Sequence, residues 1–336
     1  MYLSAFMPTR FGNTALLVAI LIAVSTSQTS QATEPTRRFI AADSSQNRVA
    51  MIDETGKTEW EHKIGSLHDL HVLPNGNVLL QLSWTEVAEI HPESGEIVWR
   101  YDAGKRPDNA GKRLEIHAFQ RLANGRTMVA ESGPGHIVEL DKALNVVHSM
   151  AFKVRKPDAH RDTRLVRKLE SGNYLVCHEG DGLVREYDLD GTTVWEYAVP
   201  LFDQKPASGH GVDAFGNQCF SAIRLPSGNT LIGTGNGHSI LEVTPAKQII
   251  WSVHQNDLPG IQLAWVTSLQ VLPGGNILIN NCHAGPENPQ LIEVNREKQV
   301  VWSFRDFERF GDSLTNSQIL AVDGTAIPLD GPEFLR

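Results

Sequence analysis

Three side chains suited to binding an anion or moving a proton occupy equivalent places in this sequence. His68, His117 and Arg164 each lie eight residues before a glycine in a short polar turn. Imidazole exchanges protons near neutral pH and binds metal ions, whereas a guanidinium binds sulfate, phosphate or carboxylate through two parallel hydrogen bonds. If the three positions meet in the fold, they predict an oxyanion site. Such a site should bind its anion more tightly near pH 6, where histidine is charged, than near pH 8.

Further candidate ligand-binding residues share the neighbourhood of these three. Asp69 follows His68 directly, and Asn316 occupies an equivalent place in the last repeat. The other candidates lie in turns and links expected at the same edge of the fold: Glu131, His136, His178, His238, Trp265 and His283. The histidines of the links, His160, His210 and His254, map to that edge as well.

A less specific interpretation stays open, because polar residues at a channel mouth often hold ordered water and nothing else. A metal site needs three or four ligands around one point, and no HxH or HxxxH pair supplies two of them locally. We therefore expect no metal. Nor does the sequence contain a Walker, Rossmann, GxSxG or CxxCH motif, and we expect no cofactor.

The elements that position these residues are repeats of a four-strand unit. Each unit alternates short apolar runs with glycine turns, a pattern that predicts antiparallel strands. The turn glycines recur every 47 to 56 residues, the period of propeller blades: Gly76, Gly125, Gly172, Gly228, Gly275 and Gly324. Four of them are followed 23 residues later by a ring that should pack between blades: Trp99, His148, Trp195 and Trp251.

The repeats predict an all-β, six-bladed propeller with four-stranded antiparallel blades. The first unit, Arg38–Trp60, has only three strands, and the missing one matches Leu314–Thr325. The C-terminal strand should therefore complete blade one, which closes the ring and removes a free sheet edge. We expect the residues beyond it, Pro328–Arg336, to be dispensable. The first strand of each blade then lines the channel, with the irregular links gathered at its mouth.

The N-terminal residues have the layout of a secretory signal peptide. Arg10 precedes the apolar run Ala15–Val24, and the small-x-small sequence Ser30–Ala32 suits a cleavage site. This apolar run is much shorter than the ~20 residues of a spanning helix. We expect residues 1–32 to be removed and residues 33–336 to form a single exported propeller domain, periplasmic or extracellular, with no membrane span.

Composition narrows the classes of partner. The net charge of -9 argues against nucleic acid. The three cysteines do not have the spacing of a disulfide framework; one bridge, between Cys177 and Cys219, is possible and would leave Cys282 as an odd thiol. We expect a monomer whose partner is a small molecule or a protein.

The repeat resembles that of a known superfamily. The pattern L-P-x-G-N-x-L followed by E-x-x-x-x-G-x-I-V-W is similar to repeats of the quinoprotein-like (PQQ-like) propellers, and His68-Asp69 leading into LPNGN resembles the arylsulfotransferase branch. This resemblance implies a channel histidine that takes a sulfuryl group covalently, with other histidines and an arginine neutralising the sulfate oxygens. His68, His117 and Arg164 match these positions and are the implied catalytic residues.

Two functions remain open at this point. One is group transfer on a small anionic or phenolic substrate, and the other is non-catalytic binding of a protein, glycan or small molecule, because a propeller fold alone implies no chemistry. A hydrogen bond from a histidine at the channel mouth to the carboxylate of Asp69 or Glu131 would favour catalysis.

Overall fold

Six antiparallel sheets follow one another along residues 35–336, as the repeats predict. The structure, a computed structural model, describes residues 1–5, 7–9 and 35–336, and Pro35–Arg336 forms one compact unit. The features on which the signal peptide prediction depends, Arg10, Ala15–Val24 and Ser30–Ala32, lie outside the described residues. Within the described ranges, no helix has the length and apolar character needed to cross a lipid bilayer.

The strands are numbered in chain order. Blade one begins with β1 (Arg37–Asp43), β2 (Arg48–Ile52) and β3 (Thr58–Lys63). Blade two contains β4 (Leu70–Val72), β5 (Val78–Gln81), β6 (Glu86–Ile90) and β7 (Ile97–Asp102). Blade three contains β8 (Glu115–Arg121), β9 (Thr127–Ser132), β10 (His136–Leu140) and β11 (Val146–Ala151). Blade four contains β12 (Val166–Lys168), β13 (Tyr174–His178), β14 (Leu183–Tyr187) and β15 (Thr193–Ala198).

The remaining blades follow the same order. Blade five contains β16 (Ser221–Arg224), β17 (Thr230–Gly233), β18 (Ile240–Val243) and β19 (Ile249–Val253). Blade six contains β20 (Trp265–Val271), β21 (Ile277–Cys282), β22 (Leu291–Val294) and β23 (Val300–Phe304). Two 3₁₀ turns, Ala103–Lys105 and Pro107–Asn109, lie in the link between blades two and three.

The C-terminal strand closes the ring. Strand β24 (Leu314–Val322) pairs antiparallel with β1, with Phe39 opposite Ile319 and Ala42 opposite Asn316. A short β25 (Thr325–Ala326) adds a fifth strand to this blade. The predicted closure is confirmed, since the C-terminal strand β24 lies beside β1 in the sheet of blade one.

The tail after β25 is built into the structure, which contradicts our expectation that Pro328–Arg336 is dispensable. The backbone of Val271 pairs with that of Leu335. The buried Arg336 side chain donates to the carbonyls of Leu70 and Ser317. Removing the tail would leave these oxygens without their donors inside the channel, where unsatisfied polar groups are costly.

The aromatic series packs between blades. Trp99, for example, joins an apolar cluster formed by blades two and three, and the Arg121 guanidinium lies 5.0 Å from its ring centre. His148, in the place that tryptophan takes elsewhere, stacks on Tyr174 of the next blade at 6.1 Å and 10°. Stacked and cation–π contacts of this kind hold neighbouring sheets together.

A second repeated contact explains the asparagine of the glycine turn. In blade four the carboxylate of Glu186 accepts hydrogen bonds from Asn173 of its own blade and from Arg224 of blade five, each at 2.7 Å. The same triplet recurs around the ring: Asn77, Glu89 and Arg121; Asn229, Glu242 and Arg296; Asn276, Glu293 and Arg37. The asparagine of the glycine turn and a glutamate of the third strand therefore link blades two, four, five and six each to the next blade.

The cysteines contribute to the core as thiols. Cys177, Cys219 and Cys282 are all free and buried. Cys177 and Cys219 lie in one apolar cluster between blades four and five without a bridge, and Cys219 donates to the Leu183 carbonyl at 3.2 Å. Burial raises the pKa of the Cys177 and Cys282 thiols well above the ordinary value.

Candidate functional site

The residues that precede the turn glycines by eight positions converge at the mouth of the channel. The rings of His68 and His117 lie 4.8 Å apart, and His68 lies 6.1 Å from Phe220. Arg164 stacks its guanidinium 4.7 Å from the centre of the Phe220 ring, and Asn316 donates to the His68 carbonyl at 2.8 Å. Repeat spacing therefore locates the mouth correctly.

A cavity of about 1190 Å³ opens at this mouth. The walls combine channel residues with residues of the links, among them His68, Trp84, His160, Arg164, Phe220 and Trp265. Its volume is slightly above the range of roughly 300 to 1,000 Å³ typical of small-molecule sites. The cavity is thus large enough for a ligand of drug size.

His68 lines the cavity with a ring that makes no hydrogen bond, since neither of its nitrogens has a partner among the described residues. Burial, reinforced by the charge of Arg164 and by the neighbouring His117 and His160, holds the pKa of His68 well below its ordinary value. The ring is therefore neutral at neutral pH, with a lone pair that a ligand proton or an electrophile could meet.

His117 lies behind His68 in a network with Glu115 and His160. Its Nδ1 is 2.8 Å from the Thr163 carbonyl oxygen and its Nε2 is 3.1 Å from Glu115 Oε2. The same carboxylate oxygen is 2.7 Å from His160 Nδ1. Burial and the charge of Arg164 lower the pKa of His117 to about 4. Burial raises the pKa of Glu115, but hydrogen bonds from the two histidines outweigh this and lower it to about 2.

These shifts correct the expected pH dependence of the mouth. Burial holds the pKa of His68 well below its ordinary value and lowers that of His117 to about 4, which favours neutral rings near neutral pH. Both shifts act against the charge that we expected the two rings to gain near pH 6. Arg164 is the cation that the channel positions supply, as predicted from its place in the repeat.

Arg164 is held by one carboxylate and keeps a free edge. Its Nε donates to Glu179 in a buried ion pair. Its Nη1 has no partner within the described part of the chain. The ion pair orients the guanidinium over Phe220 and leaves that nitrogen able to donate to a ligand.

Comparison with known proteins identifies the family. The profile of the PQQ-like repeat family described as "Outer membrane protein assembly factor BamB" matches residues 23–101 and 45–304. The chain belongs to this family. None of the curated proteins with which the chain was compared is similar enough to count as a match.

Solved structures resemble the PQQ-like propeller at low sequence identity. A protein of unknown function from Bacteroides caccae is 24% identical, with a TM-score of 0.69 over 84% of this chain and 98% of that one. Virginiamycin B lyase from Staphylococcus aureus is 13% identical, with a TM-score of 0.53 over 83% of this chain and 86% of that one. A catalytically inactive form of that lyase, solved with quinupristin, is 12% identical, with a TM-score of 0.52 over 80% of this chain and 84% of that one. Identities this low establish the fold alone.

Several predicted site residues of this PQQ-like propeller do not line the cavity. Asp69 binds Arg167, below the mouth. Glu131 accepts from Tyr101 Oη and Arg106 at the interface of blades two and three. Neither carboxylate reaches a histidine of the mouth, so the hydrogen bond that would have favoured catalysis is not made by them. Glu115, which the sequence did not single out, makes it instead.

Four other candidates do not line the cavity. Three of them have hydrogen-bond partners elsewhere, and the exception is His136, whose Nδ1 has no partner within the described residues. His178 bonds the Asp162 carbonyl and the Tyr187 hydroxyl, at 2.7 and 2.8 Å. His238 is buried between the carbonyls of Ala214 and Ala264. The remaining two are His136, on β10, and Asn316, which bonds the His68 carbonyl and Arg336. Buried polar groups with such partners are satisfied within the fold.

Two predicted ligand-binding residues do line the cavity. Trp265 and His283 lie on its wall on either side of His210. The His210 ring stacks on Trp265 at 4.9 Å and lies 5.2 Å from His283. His210 and His160 line the cavity as well; the sequence places both on links, and neither was among the predicted site residues.

One cluster has the composition of a metal site. One ligand atom from each of Glu115, His117 and His160 lies within 4.8 Å of the others. Our expectation of no metal depended on the lack of a local ligand pair in the sequence. The cluster combines a Glu-x-His pair of strand β8 with a histidine 43 residues further along the chain, a combination that a search for HxH or HxxxH does not detect.

Proposed function

We propose that this protein is an exported propeller that binds a small anion bearing an aromatic group in the cavity at the channel mouth. One observation carries the proposal: the ring nitrogens of His68 and Nη1 of Arg164 lack partners within the described residues, and both side chains line one cavity. Buried polar atoms in folded proteins are nearly always hydrogen-bonded, so an unsatisfied pair at a cavity wall favours a ligand as the missing partner.

The charge of the wall supports an anion. Among the described residues that line the cavity, Lys156, Arg161 and Arg164 are cations and Glu179 is an acid. The chain as a whole carries a net charge of -9, so this local excess of positive charge runs against the average of the surface. A cleft of one sign raises the local concentration of ions of the opposite sign.

The apolar part of the wall supports an aryl group. Trp84, Phe220 and Trp265 all line the cavity, and Phe220 carries the Arg164 guanidinium on its face. Aromatic side chains pack against flat rings in offset or edge-to-face geometry. A ligand with an aromatic ring and a sulfate, phosphate or carboxylate group would use both halves of the site.

Sulfuryl transfer is the finer proposal, and His68 favours it. A neutral imidazole with an unpartnered nitrogen can attack the sulfur of an aryl sulfate, forming an N–S bond as the S–O bond to the aryl group breaks and the phenolate leaves. A phenol oxygen then attacks the sulfur, loses its proton and releases His68. Arg164 would neutralise the sulfate oxygens, as the resemblance to arylsulfotransferases implies.

Titration calorimetry with 4-nitrophenyl sulfate, inorganic sulfate and 4-nitrophenol tests the binding proposal. We expect 4-nitrophenyl sulfate to bind more tightly than either of its parts. Arg164→Gln should weaken it roughly tenfold or more, the effect of a lost charge-assisted hydrogen bond. Arg100→Gln, at an exposed residue paired with Glu86, is the control and should bind normally. No binding by the folded wild-type protein, or equal binding by both variants, would refute the proposal.

A separate assay tests the transfer step. Release of 4-nitrophenol in the presence of a second phenol should be abolished by His68→Ala, and mass spectrometry of the wild type should show one added sulfuryl group on a His68 peptide. Binding without release or adduct would leave a ligand-binding propeller without transferase activity. In that case the alternative of a scaffold, for which the family description "assembly factor" offers a parallel, becomes the better account.

Export is the part of the proposal that depends on the sequence alone. The N-terminal sequence of the protein recovered from the producing cell decides it. We expect a chain that begins near Thr33 and fractionates with the periplasm or the medium. A cell-associated chain that retains residues 1–32 would contradict export without affecting the ligand site.

A further inference from the structure

Strand β8 carries Glu115 and His117, and its pairing with β9 shifts register at His117. Strand β8 pairs Ile116 with Glu131 and then Ala118 with Ala130, so that His117 has no partner of its own on β9. An extra residue of this kind is a β-bulge, which redirects a side chain and is frequent beside functional sites. At this bulge the His117 ring lies beside Glu115, with Nε2 3.1 Å from Oε2.

His160 comes from the link between blades three and four and is held by a turn. Asp158 accepts a hydrogen bond from the His160 backbone through Oδ1 at 3.0 Å, and its carbonyl accepts from Arg161 N at 2.7 Å. The His160 side chain is 40% exposed and lines the cavity, whereas His117 is fully buried. The cluster therefore reaches from the protein interior to the cavity wall.

The hydrogen bonds of His117 are not satisfied by a neutral ring. Its Nδ1 and Nε2 both face oxygens that accept hydrogen bonds, the Thr163 carbonyl and the Glu115 carboxylate. A neutral imidazole carries one N–H, so one of its nitrogens must face an acceptor with a lone pair. A cation other than a proton, bound between Nε2 and the carboxylate, removes this conflict.

We propose that Glu115, His117 and His160 bind one divalent transition-metal ion. Two imidazoles and one carboxylate form a donor set that zinc and its neighbours in the first row accept. Nδ1–H of His117 donating to a backbone carbonyl is also the contact that commonly orients a metal-bound histidine through its outer nitrogen. The three ligand atoms, within 4.8 Å of one another, could surround an ion at about 2 Å from each after small side-chain movements.

The charges around the cluster are compatible with a cation. Glu115 supplies a negative charge through Oε2, while its Oε1 accepts from the largely exposed Arg113 at 3.0 Å. Arg164 is paired with Glu179. His68 lies 4.8 Å from His117 and 6.0 Å from His160, measured between ring centres. An ion at the cluster would thus sit beside the proposed anion site, although anion binding through Arg164 does not require it.

Cobalt(II) titration of the untagged, chelator-treated wild-type protein tests the site. We expect one Co²⁺ per chain by calorimetry, with visible absorption bands that disappear when Zn²⁺ displaces it. Glu115→Gln and His160→Ala should each lower the affinity at least ten- to hundredfold, the range found for changes around metal ligands. His254→Ala, at a link histidine outside the cluster, is the matched control and should leave the titration unchanged.

The outcomes are distinguishable from those of the anion test. Arg164→Gln should lose the anion and keep the Co²⁺ stoichiometry. Because the His160 side chain is partly exposed, His160→Ala should fold even if Glu115→Gln does not, and the thermal unfolding midpoint verifies this. A wild-type protein that binds no Co²⁺ in a one-to-one ratio, or a His160→Ala variant that binds it as the wild type does, would overturn the metal site.

Discussion

Arg167 of blade four forms a bidentate ion pair with Asp69 of blade two through both of its terminal nitrogens. Nη1 lies 2.7 Å from Oδ2 and Nη2 lies 3.0 Å from Oδ1, and both side chains are buried. Burial raises the pKa of Asp69, but Arg167 and His71 outweigh it and hold the pKa far below its usual range. The pair connects two blades that are not neighbours in the ring. It therefore stabilises the channel and is not available to bind a ligand.

Removing one partner of this pair should destabilise the fold. Asp69→Asn leaves the Arg167 charge buried without its counter-ion, which costs about 3 to 5 kcal/mol in comparable pairs. Urea unfolding measures the loss. Glu59→Gln, which breaks the partly exposed pair with Arg38, is the control and should cost about 1 kcal/mol or less. Equal losses in the two variants would mean that the buried pair has no special role.

The C-terminal residue should matter for stability as well. Arg336 donates to the Leu70 and Ser317 carbonyls and to Asn316, and its own carbonyl accepts from Arg167 at 2.9 Å. Arg336→Ala removes several charge-assisted hydrogen bonds inside the channel and should lower the free energy of unfolding by about 2 kcal/mol or more.

Arg305→Ala, at an exposed residue, controls for the loss of a positive charge. Unfolding of Arg336→Ala at the wild-type midpoint would show that the tail rests in the channel without stabilising it. A larger deletion, from Leu314 onward, should abolish cooperative unfolding altogether, because it removes strand β24 from blade one and exposes the edge of β1.

The fold could be predicted from the sequence because every blade needs the same turns and strands, so the same residue pattern occurs several times. A turn that needs a positive φ, as Gly76 and Gly125 have, selects glycine in every blade. The site could be predicted only in part. Glu115 and His160 meet through a bulge and a link, and neither feature repeats, so no second copy of the pattern marked them.

The predicted site residues that lie away from the cavity do so for a shared physical reason. Histidines were grouped by the edge of the fold on which they fall, but side chains on one edge point in different directions. His178 and His238 turn inward and bond backbone carbonyls, whereas His68 faces the cavity. Without the blade twist and the course of each link, residue type and register do not separate these two cases.

His148 tests the packing account of the aromatic series. It stacks on Tyr174, and its Nε2 lacks a partner within residues 35–336. His148→Trp restores the residue type of the other blades and should change the free energy of unfolding by no more than ~1.5 kcal/mol, with stabilisation the favoured sign. Trp99→His is the reciprocal control and should be destabilising. A loss of several kcal/mol in His148→Trp would mean that the ring has a polar role in this blade.

Buried neutral histidines should make the free energy of unfolding decrease as the pH is lowered from about 6.5 to 4. Burial, as the largest cause, lowers the pKa of both His71 and His178 to about 4. His71 donates to the Phe119 carbonyl and accepts from Arg336, and it lies beside Asp69 and Arg167.

Below pH 6.5 the unfolded chain binds protons at these two residues and the native chain does not, so the unfolded state gains stability as the pH falls. Each neutral, buried histidine makes its full contribution to the free energy of unfolding above the pKa of the unfolded state. That contribution is lost as the pH falls to the pKa of the folded state, with a slope of at most about 1.4 kcal/mol per pH unit for each residue. Urea unfolding at pH 7, 6, 5 and 4 measures it. His178→Gln, which cannot be protonated, should have a shallower slope than the wild type, and His254→Gln should not. A wild-type stability that is flat from pH 7 to 4 would contradict the neutral, buried state of these rings.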